Sequence, residues 1–219
     1  MLEVWLTFPY DRRRISVEGE PGVIMSQVSE DRIIGLWGTP FLHFTPEAHA
    51  THQNALAGLA ESSPDADLLH DLDTSAQWLR TQINAAVTAF LERWAEADPG
   101  RVDFVSRTLI HGHSDYQPLR NNPDAYLSGL YYIEVPQGVR DPHHRSDADS
   151  NALSFYDPRF GINMGAIAKD PNSQMEKQVQ PAAGVMIIWP SHVDYFMHPN
   201  LSASSLIAIQ FNAKLETTP

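Results

Sequence analysis

Histidine and aspartate side chains recur in two short segments whose spacing could hold a metal ion. The segment HGHSDY contains His113 and Asp115, and the segment PSHVDYFMHPN contains His192 and His198. Residues two apart in an extended chain point to the same side, so His113 and Asp115 could bind one ion together. Two imidazoles and a carboxylate on one face of a divalent metal ion leave its other positions open for further ligands. His113 and Asp115, completed by His198 or by His192, are therefore one candidate metal site.

The composition restricts what else the chain could bind. Its 15 Lys and Arg against 27 Asp and Glu give a formal charge of 15 − 27 = −12, and no long stretch is basic, so we expect no nucleic-acid partner. The chain has no cysteine, so a metal must use histidine and carboxylate ligands. No stretch approaches the roughly eighteen apolar residues of a membrane span, and no leader pattern opens the chain. We therefore expect no membrane partner and a cytoplasmic location.

The elements that must position these residues divide the chain into helices followed by strands. At 219 residues, with 42% hydrophobic content, the chain is long enough for one well-buried domain. We expect residues 1–34 to form an extension, as strands or a hairpin laid on the core, and residues 35–219 to form a single domain. Short β-rich segments run from Val102 to the end, after the predicted helices. This order is typical of an α+β protein with helices on one face of an antiparallel sandwich.

Two helices are predicted in the first half. The segment GLWGTPFLHF reads as a strand, and TPEAHATHQNALAGLA after it opens with the Thr-Pro pair typical of a helix start. The clearer helix runs from Thr74 to about Ala97, and Thr74 and Gln77 make a capping-box pattern at its start.

The last strand, SSLIAIQFN, has a period of two that separates its side chains into two faces. We expect one face to pack against the helices and the other to line the space between two sheets. The first face comprises Ile207, Ile209 and Phe211, and the second comprises Leu206, Ala208 and Gln210.

Five segments follow one another in the second half of the chain: DYQP, NPDAYLSGLYYIEVP, LSFYDPR, VQPAAGVMIIWPS and HPNLSASSLIAIQFN. Together with GLWGTPFLHF and the two predicted helices after it, they resemble the bacterial and phage branch of the 2-oxoglutarate and Fe(II) dependent oxygenases. The resemblance runs from about residue 35 to the C-terminus. It implies a double-stranded β-helix, a jelly roll of two sheets, with iron between them at one open end. It also implies Fe(II) and 2-oxoglutarate as cofactors, with a basic residue on the last strand that pairs with the far carboxylate of 2-oxoglutarate.

The positions that carry the family's functional residues hold other residue types in this chain. After DYQP the family has a histidine, one intervening residue and a second ligand, and the matching positions here are Arg120 and Asn122. The distal histidine is matched by Tyr195, and the basic residue of the last strand by Leu206. A guanidinium has no lone pair and a permanent positive charge, so Arg120 cannot replace a histidine ligand. The resemblance therefore implies that the standard iron site is absent.

A pocket between the sheets would remain without iron. We expect it to be lined by Arg120, Asn122, Tyr131 or Tyr132, Trp189, Tyr195 and the face of Leu206, Ala208 and Gln210. Arg120 could hold a substrate carboxylate or stabilise an oxyanion, and Tyr195 would be the nearby acid or hydrogen-bond donor.

Two arginines have a structural alternative to a role in binding. Arg120 could instead form an ion pair with Asp115, Asp124 or Asp157. Arg159, in FYDPR, is either a second carboxylate anchor or an ion-pair partner of Asp157.

Three functions stay open at this point. The first is an enzyme that modifies a small molecule, with a carboxylate as one candidate, and works without the standard iron site. The second is an Fe(II) and 2-oxoglutarate dependent hydroxylase with the relocated triad His113, Asp115 and His198. The third is a non-catalytic binding or scaffold protein that keeps the jelly roll for its shape. The sequence leaves open whether the chain forms a homodimer.

Overall fold

Two antiparallel sheets and two helices make up the parts of the chain that the structure, a computed structural model, describes. These parts are residues 38–95, 101–136, 149–159, 161 and 174–215. The predicted extension of residues 1–34 lies outside them. The strands are β1 Leu42–Phe44, β2 Val102–His111, β3 Gln117–Arg120, β4 Leu127–Glu134, β5 Leu153–Tyr156, β6 Glu176–Val179, β7 Met186–Pro190, β8 Tyr195–Met197 and β9 Leu206–Leu215.

The strands form the two sheets of a jelly roll. One sheet has the order β1-β7-β4-β9-β2 and the other has the order β3-β8-β5-β6. All pairs are antiparallel, and the β2–β9 ladder runs unbroken for ten residue pairs, from Val102 opposite Leu215 to His111 opposite Leu206. The α+β class and the jelly roll predicted from the sequence are confirmed.

The helices cover the outer face of the five-stranded sheet. Helix α1 spans His49–Ser62 and helix α2 spans Thr74–Phe90, and α2 continues as one π-helical turn, Leu91–Ala95. A short 3₁₀ turn, Leu68–His70, lies between the helices. None of the helices in the described ranges is both long and apolar enough to cross a membrane.

The start of α2 differs from the predicted capping box. The capping residue is Asp73, whose Oδ1 accepts hydrogen bonds from the backbone N–H groups of Ser75 at 2.7 Å and Ala76 at 3.4 Å. Gln77 turns back instead to donate to the carbonyl oxygen of Leu72. A carboxylate at this position satisfies two of the four unpaired N–H groups of the first turn and carries charge that suits the helix dipole.

Two apolar layers hold the fold together, one on each side of the five-stranded sheet. Ile207, Ile209 and Phe211 of β9 pack in the layer beneath the helices, whereas Leu206 and Ala208 pack between the two sheets. The faces predicted from the period of two are therefore correct. Tyr131 lies in the helix-side layer and Tyr132 between the sheets, because successive side chains of β4 alternate.

Strand β3 was not predicted. Its sequence, QPLR, is short and contains a proline, and it pairs with β8 only through Gln117 opposite Met197 and Arg120 opposite Tyr195, with a register shift between. A proline is tolerated here because β3 is an edge strand of its sheet. This strand brings position 120 next to position 195.

Candidate functional site

A buried tyrosine and a buried glutamine meet between the sheets. Tyr195 of β8 is 1% exposed and Gln210 of β9 is 3% exposed. The side-chain amide nitrogen of Gln210 lies 2.5 Å from the hydroxyl oxygen of Tyr195, so β9 of the five-stranded sheet is joined to β8 of the four-stranded sheet.

Arg107 of β2 fixes the orientation of the Gln210 amide. Its Nε and Nη2 both donate to Gln210 Oε1, over 2.9 Å and 2.5 Å. Because these donors require an acceptor, the oxygen of Gln210 faces Arg107 and the amide nitrogen faces Tyr195. The oxygen of Tyr195 therefore accepts a hydrogen bond from Gln210, and the hydroxyl hydrogen stays available to donate elsewhere.

A second polar cluster surrounds Asn122. Arg120 Nη2 donates to Asn122 Oδ1 at 3.2 Å, and Asn122 Nδ2 donates to Ser128 Oγ at 2.8 Å. Ser128 Oγ donates in turn to Asn212 Oδ1 at 2.8 Å and lies 2.8 Å from Ser191 Oγ. Both the oxygen and the nitrogen of the Asn122 side chain are thus engaged within the protein.

Two guanidinium groups lie near each other beside Tyr195. Burial, and then the nearby positive charge of Arg120, lower the pKa of Arg107 from its usual value, while Tyr195 acts in the opposite direction. Both arginines are exposed at the rim of the sandwich, above the buried Tyr195 and Gln210. In the described ranges neither guanidinium forms an ion pair with a carboxylate, which leaves two positive charges at one rim of a protein of net charge −12.

Aromatic rings form the wall behind Tyr195. The ring of Trp189 lies edge-on to Tyr195 with centroids 5.2 Å apart, and edge-on to Phe155 at 4.9 Å. Trp189 Nε1 and the hydroxyl of Tyr132 are buried, and neither finds a hydrogen-bond partner among the described residues. Burial raises the pKa of Tyr132, so this phenol stays protonated. Unpaired buried donors are rare in native proteins and mark places where a polar ligand or water can bind.

A second set of unpaired polar groups lies further along the same face. His111 and Gln117 are 8% and 5% exposed, and His111 Nδ1 and both polar atoms of the Gln117 amide have no partner in the described part of the chain. His111 lies opposite Leu206 and Gln117 opposite Met197, two residues that pack between the sheets. Burial lowers the pKa of His111, which favours the neutral imidazole.

Arg120 and Arg159 occupy different environments. Arg120 makes no ion pair with Asp115, Asp124 or Asp157, the three acids that could have neutralised it. Arg159 pairs with Asp157 over 2.6 Å, as one of the two sequence-based alternatives had it. Hydrogen bonding from Arg159 holds the pKa of Asp157 below its usual value.

Most of the residues predicted to line the pocket lie around the space between the sheets. They are Arg120, Asn122, Tyr132, Trp189, Tyr195, Leu206 and Gln210. Tyr131 instead packs on the helix side of the five-stranded sheet.

The structure does not bring the alternative ligands His113, Asp115 and His198 together as a metal site. No three His, Asp or Glu side chains in the described ranges are grouped closely enough to share an ion. The chain leaves strand β2 at His111 and turns, with Ser114 in the left-handed region at φ 69°, so His113 and Asp115 are not in an extended segment as predicted.

His113 and His198, two of the candidate ligand histidines, have other contacts. His113 is exposed beside the carbonyl oxygen of Ser202, and the Nε2 atom of His198 lies 2.8 Å from Ser154 Oγ. His198 also follows Met197, whose side chain packs between the sheets, so alternation along β8 directs His198 to the opposite face.

The residues that the resemblance matches to the three ligand positions do not suit a ferrous ion. Arg120 has no lone pair, the oxygen of Asn122 faces the Arg120 guanidinium, and the oxygen of Tyr195 accepts from Gln210. The positive charges of Arg107 and Arg120 would also repel a divalent ion beside Tyr195.

Sequence analysis missed Arg107. It lies in VDFVSRTLI, which we read as a plain strand, yet it stands opposite Gln210 in the β2–β9 ladder. Two features of the sequence could have identified it. Arg107 is two residues before Leu109, so in a strand both side chains point to the same face, the one between the sheets. Gln210 is a polar residue on the face of the last strand that was predicted to line the same space.

Comparisons with known proteins agree with this architecture. Residues 108–212 match the family model described as "Putative 2OG-Fe(II) oxygenase". No curated protein matches the chain significantly in sequence.

Three solved structures illustrate the likeness in fold. A prolyl-4-hydroxylase from Pseudomonas putida has 12% identity and a TM-score of 0.54, over 81% of this chain and 88% of its own. AviO1 from Streptomyces viridochromogenes Tue57 has 11% identity and a TM-score of 0.56, over 82% and 91%. HygX from Streptomyces hygroscopicus, solved with nickel and 2-oxoglutarate bound, has 8% identity and a TM-score of 0.53, over 81% and 82%. At these identities the likeness establishes the fold, a double-stranded β-helix.

Proposed function

From its match to the 2-oxoglutarate and Fe(II) dependent oxygenase family over residues 108–212, we propose that the chain is a small-molecule-modifying enzyme of that superfamily which works without the standard iron site. The observation that carries the proposal is the hydrogen bonding at the three standard ligand positions. Arg120 donates to Asn122 Oδ1, and the oxygen of Tyr195 accepts from Gln210, so a guanidinium, an engaged amide and a phenol stand where the family has its metal ligands.

The proposed substrate carries a negative charge. Arg120 uses one N–H to hold Asn122 Oδ1, which leaves its other N–H groups for a carboxylate or an oxyanion of the substrate. Bonds from a guanidinium to a carboxylate are charge-assisted and directional, so Arg120 would fix both the position and the orientation of the bound molecule.

Tyr195 supplies the proton in this proposal. Gln210 holds the phenol oxygen from one side, so the hydroxyl hydrogen points away from Gln210 and can be donated to a substrate oxygen that gains negative charge. The phenolate that forms keeps the Gln210 N–H as a hydrogen-bond donor and lies near Arg107, whose positive charge stabilises it. The ring of Trp189 packs edge-on against the ring of Tyr195, which is buried.

An anaerobic Fe(II) titration tests the absence of the standard site. We expect less than one ion to bind per chain and no new visible absorption band when 2-oxoglutarate is added. Stoichiometric binding together with such a band would show that the chain is an iron and 2-oxoglutarate dependent enzyme after all. In that event, loss of iron binding in His113→Ala but not in Tyr195→Phe would identify the relocated triad.

Binding of a simple carboxylate tests the role of Arg120. We expect acetate to bind the wild-type protein weakly, and Arg120→Gln to weaken that binding by about tenfold, which corresponds to about 1.4 kcal/mol. The matched control is Arg80→Gln, because Arg80 is an exposed arginine on α2, on the other side of the five-stranded sheet. Calorimetry gives both affinities.

A non-catalytic scaffold is the remaining candidate. It predicts that neither iron nor a carboxylate binds and that Arg120→Gln has no effect on any ligand. The reaction, the substrate, the cytoplasmic location and a homodimer stay predictions.

A further inference from the structure

We propose that Arg107 and Arg120 act together as a two-guanidinium clamp for a doubly charged anionic group, either a phosphate monoester or two carboxylates on one carbon atom. The inference rests on the proposed function, because the clamp is part of the same pocket, and it names the class of substrate that this pocket takes. This joint role was not predicted from the sequence, and Arg107 was not among the predicted site residues.

The first step of the argument is the fixed position of Arg107. Gln210 Oε1 accepts from both its Nε and its Nη2, and Gln210 is itself buried and held by Tyr195. A guanidinium has five N–H donors, and these two bonds leave the others available. A side chain that is held in place loses little further conformational freedom when it binds a ligand, and this raises affinity.

The second step is the charge at this rim. Two guanidinium groups repel each other at short range, and a protein normally offsets such a pair with carboxylates. The acids close by in the fold are engaged elsewhere: Asp194 accepts from Asn121, Asp115 accepts from the backbone N–H of Gly112, and Asp157 pairs with Arg159. Among the described residues, therefore, no carboxylate pairs with Arg107 or Arg120, and a bound dianion would supply a partner for both.

The third step is the set of neutral donors beside the clamp. The hydroxyl hydrogen of Tyr195 is not used by Gln210, and Tyr195 lies opposite Arg120 while its partner Gln210 lies opposite Arg107. A phosphate or a geminal dicarboxylate has enough acceptor oxygens to take bonds from both guanidinium groups and from this phenol at once. A single carboxylate has two oxygens and one charge, so it satisfies only half of the clamp.

The fourth step is access. Both arginines are exposed, and Tyr195 and Gln210 behind them are buried, so a small anion in solvent can reach the two guanidinium groups directly. Because the charges are exposed, their attraction is screened by salt, and we expect affinity for a dianion to fall steeply as ionic strength rises.

The experiment measures, by calorimetry at low ionic strength and pH 8, the binding of inorganic phosphate, malonate and acetate to the full chain. We expect phosphate or malonate to bind at least tenfold more tightly than acetate. The tighter of the two dianions distinguishes a phosphate ester from a dicarboxylate as the natural group. Arg107→Gln should weaken dianion binding about tenfold and bring it close to that of acetate, whereas Arg80→Gln should change neither.

A second variant covers the chance that Arg107→Gln loses its fold, since it removes the partner of a buried amide. Arg107→Lys keeps the charge and one donor, and we expect it to retain part of the preference for dianions while the circular dichroism spectrum stays unchanged. Equal affinity of acetate and both dianions, or full dianion affinity in Arg107→Gln, would overturn the clamp. So would the absence of binding by all three anions.

Failure of the clamp and failure of the proposed function give different results. If acetate binds through Arg120 and iron does not bind, but Arg107→Gln has no effect, the proposed function stands and the clamp is wrong. If Fe(II) binds stoichiometrically and responds to 2-oxoglutarate, the proposed function is wrong whatever the anions do.

Discussion

The phenol oxygen of Tyr195 accepts a hydrogen bond from the side-chain nitrogen of Gln210 across the two sheets of the sandwich, over 2.5 Å. Both residues are buried, so neither group can turn to bulk water if its partner is removed. The contact therefore serves the stability of the sandwich as well as the chemistry proposed for the pocket.

Removing the Tyr195 hydroxyl tests this contact directly. In Tyr195→Phe the Gln210 nitrogen loses its acceptor in a buried place, and we expect the free energy of unfolding to fall by about 1–3 kcal/mol. The control is Tyr126→Phe, because Tyr126 is 47% exposed, and there we expect a change within about 0.5 kcal/mol. Urea denaturation of the three proteins gives these values, and equal stabilities would contradict a buried hydrogen bond at Tyr195.

The ion pair of Asp157 and Arg159 predicts a dependence of stability on pH. Hydrogen bonding from Arg159 holds the pKa of Asp157 below its usual value, so the unfolded chain takes up this proton at a higher pH than the folded chain does. The stabilisation is complete above the unfolded value of about 3.9 and is lost as pH falls through the lowered pKa.

Melting temperatures at several pH values check this sign. Asp157→Asn should melt below the wild type at pH 7, and the difference should shrink as the pH falls below about 4. Asp124→Asn, which alters an exposed aspartate, should follow the wild type throughout. A constant gap between wild type and Asp157→Asn at all pH values would contradict the linkage.

The N-terminal cap of helix α2 predicts different losses of stability for substitutions at two neighbouring residues, Asp73 and Thr74. Asp73 Oδ1 accepts from two backbone N–H groups of the first turn, whereas Thr74 is exposed. Asp73→Ala should lower the free energy of unfolding by about 1 kcal/mol. Thr74→Ala should change it by less than about 0.5 kcal/mol. Denaturant unfolding measures both values. A larger loss of stability in Thr74→Ala than in Asp73→Ala would instead support the capping box of Thr74 and Gln77 predicted from the sequence.

Gly129 marks a close approach between β4 and the neighbouring strand β9. A Cβ atom on Gly129 would lie 2.1 Å from the Phe211 ring, which is itself fully buried under the helices. Gly129→Ala should therefore destabilise the protein by about 1–3 kcal/mol through overpacking. The double variant Gly129→Ala with Phe211→Leu should lose less than the sum of the two single losses, because the smaller side chain makes room. Additive losses in denaturant unfolding would show that the clash is relieved by other means.

The faces of the strands could be read from the sequence because burial enforces alternation. The LIAIQF run of β9 has one apolar face that packs on the helices and one mixed face that packs between the sheets, and both were predicted correctly. Alternation is a reliable signal wherever each face has its own layer to fill.

The turn after β2 could not be read in this way. His113 and Asp115 were placed in an extended segment, but Ser114 adopts a left-handed backbone, and the turn is closed by hydrogen bonds to Asn200, some 85 residues later in the chain. Such contacts depend on tertiary packing that no local pattern encodes. The partnership of Arg107 with Gln210 is of the same kind, because the two residues lie 103 positions apart.

The hydrogen bonds that tie Arg107 to Gln210 and Gln210 to Tyr195 also restrict how this pocket can change in evolution. Tyr195→His alone would not create a metal site, since the guanidinium groups would still repel a cation and Asn122 would still face Arg120. Arg120→His alone would leave the amide oxygen of Asn122 without its donor. Converting this pocket to a metal site would therefore require several coordinated substitutions, and we expect each single one to lower stability, because it leaves a buried hydrogen-bonding group without its partner.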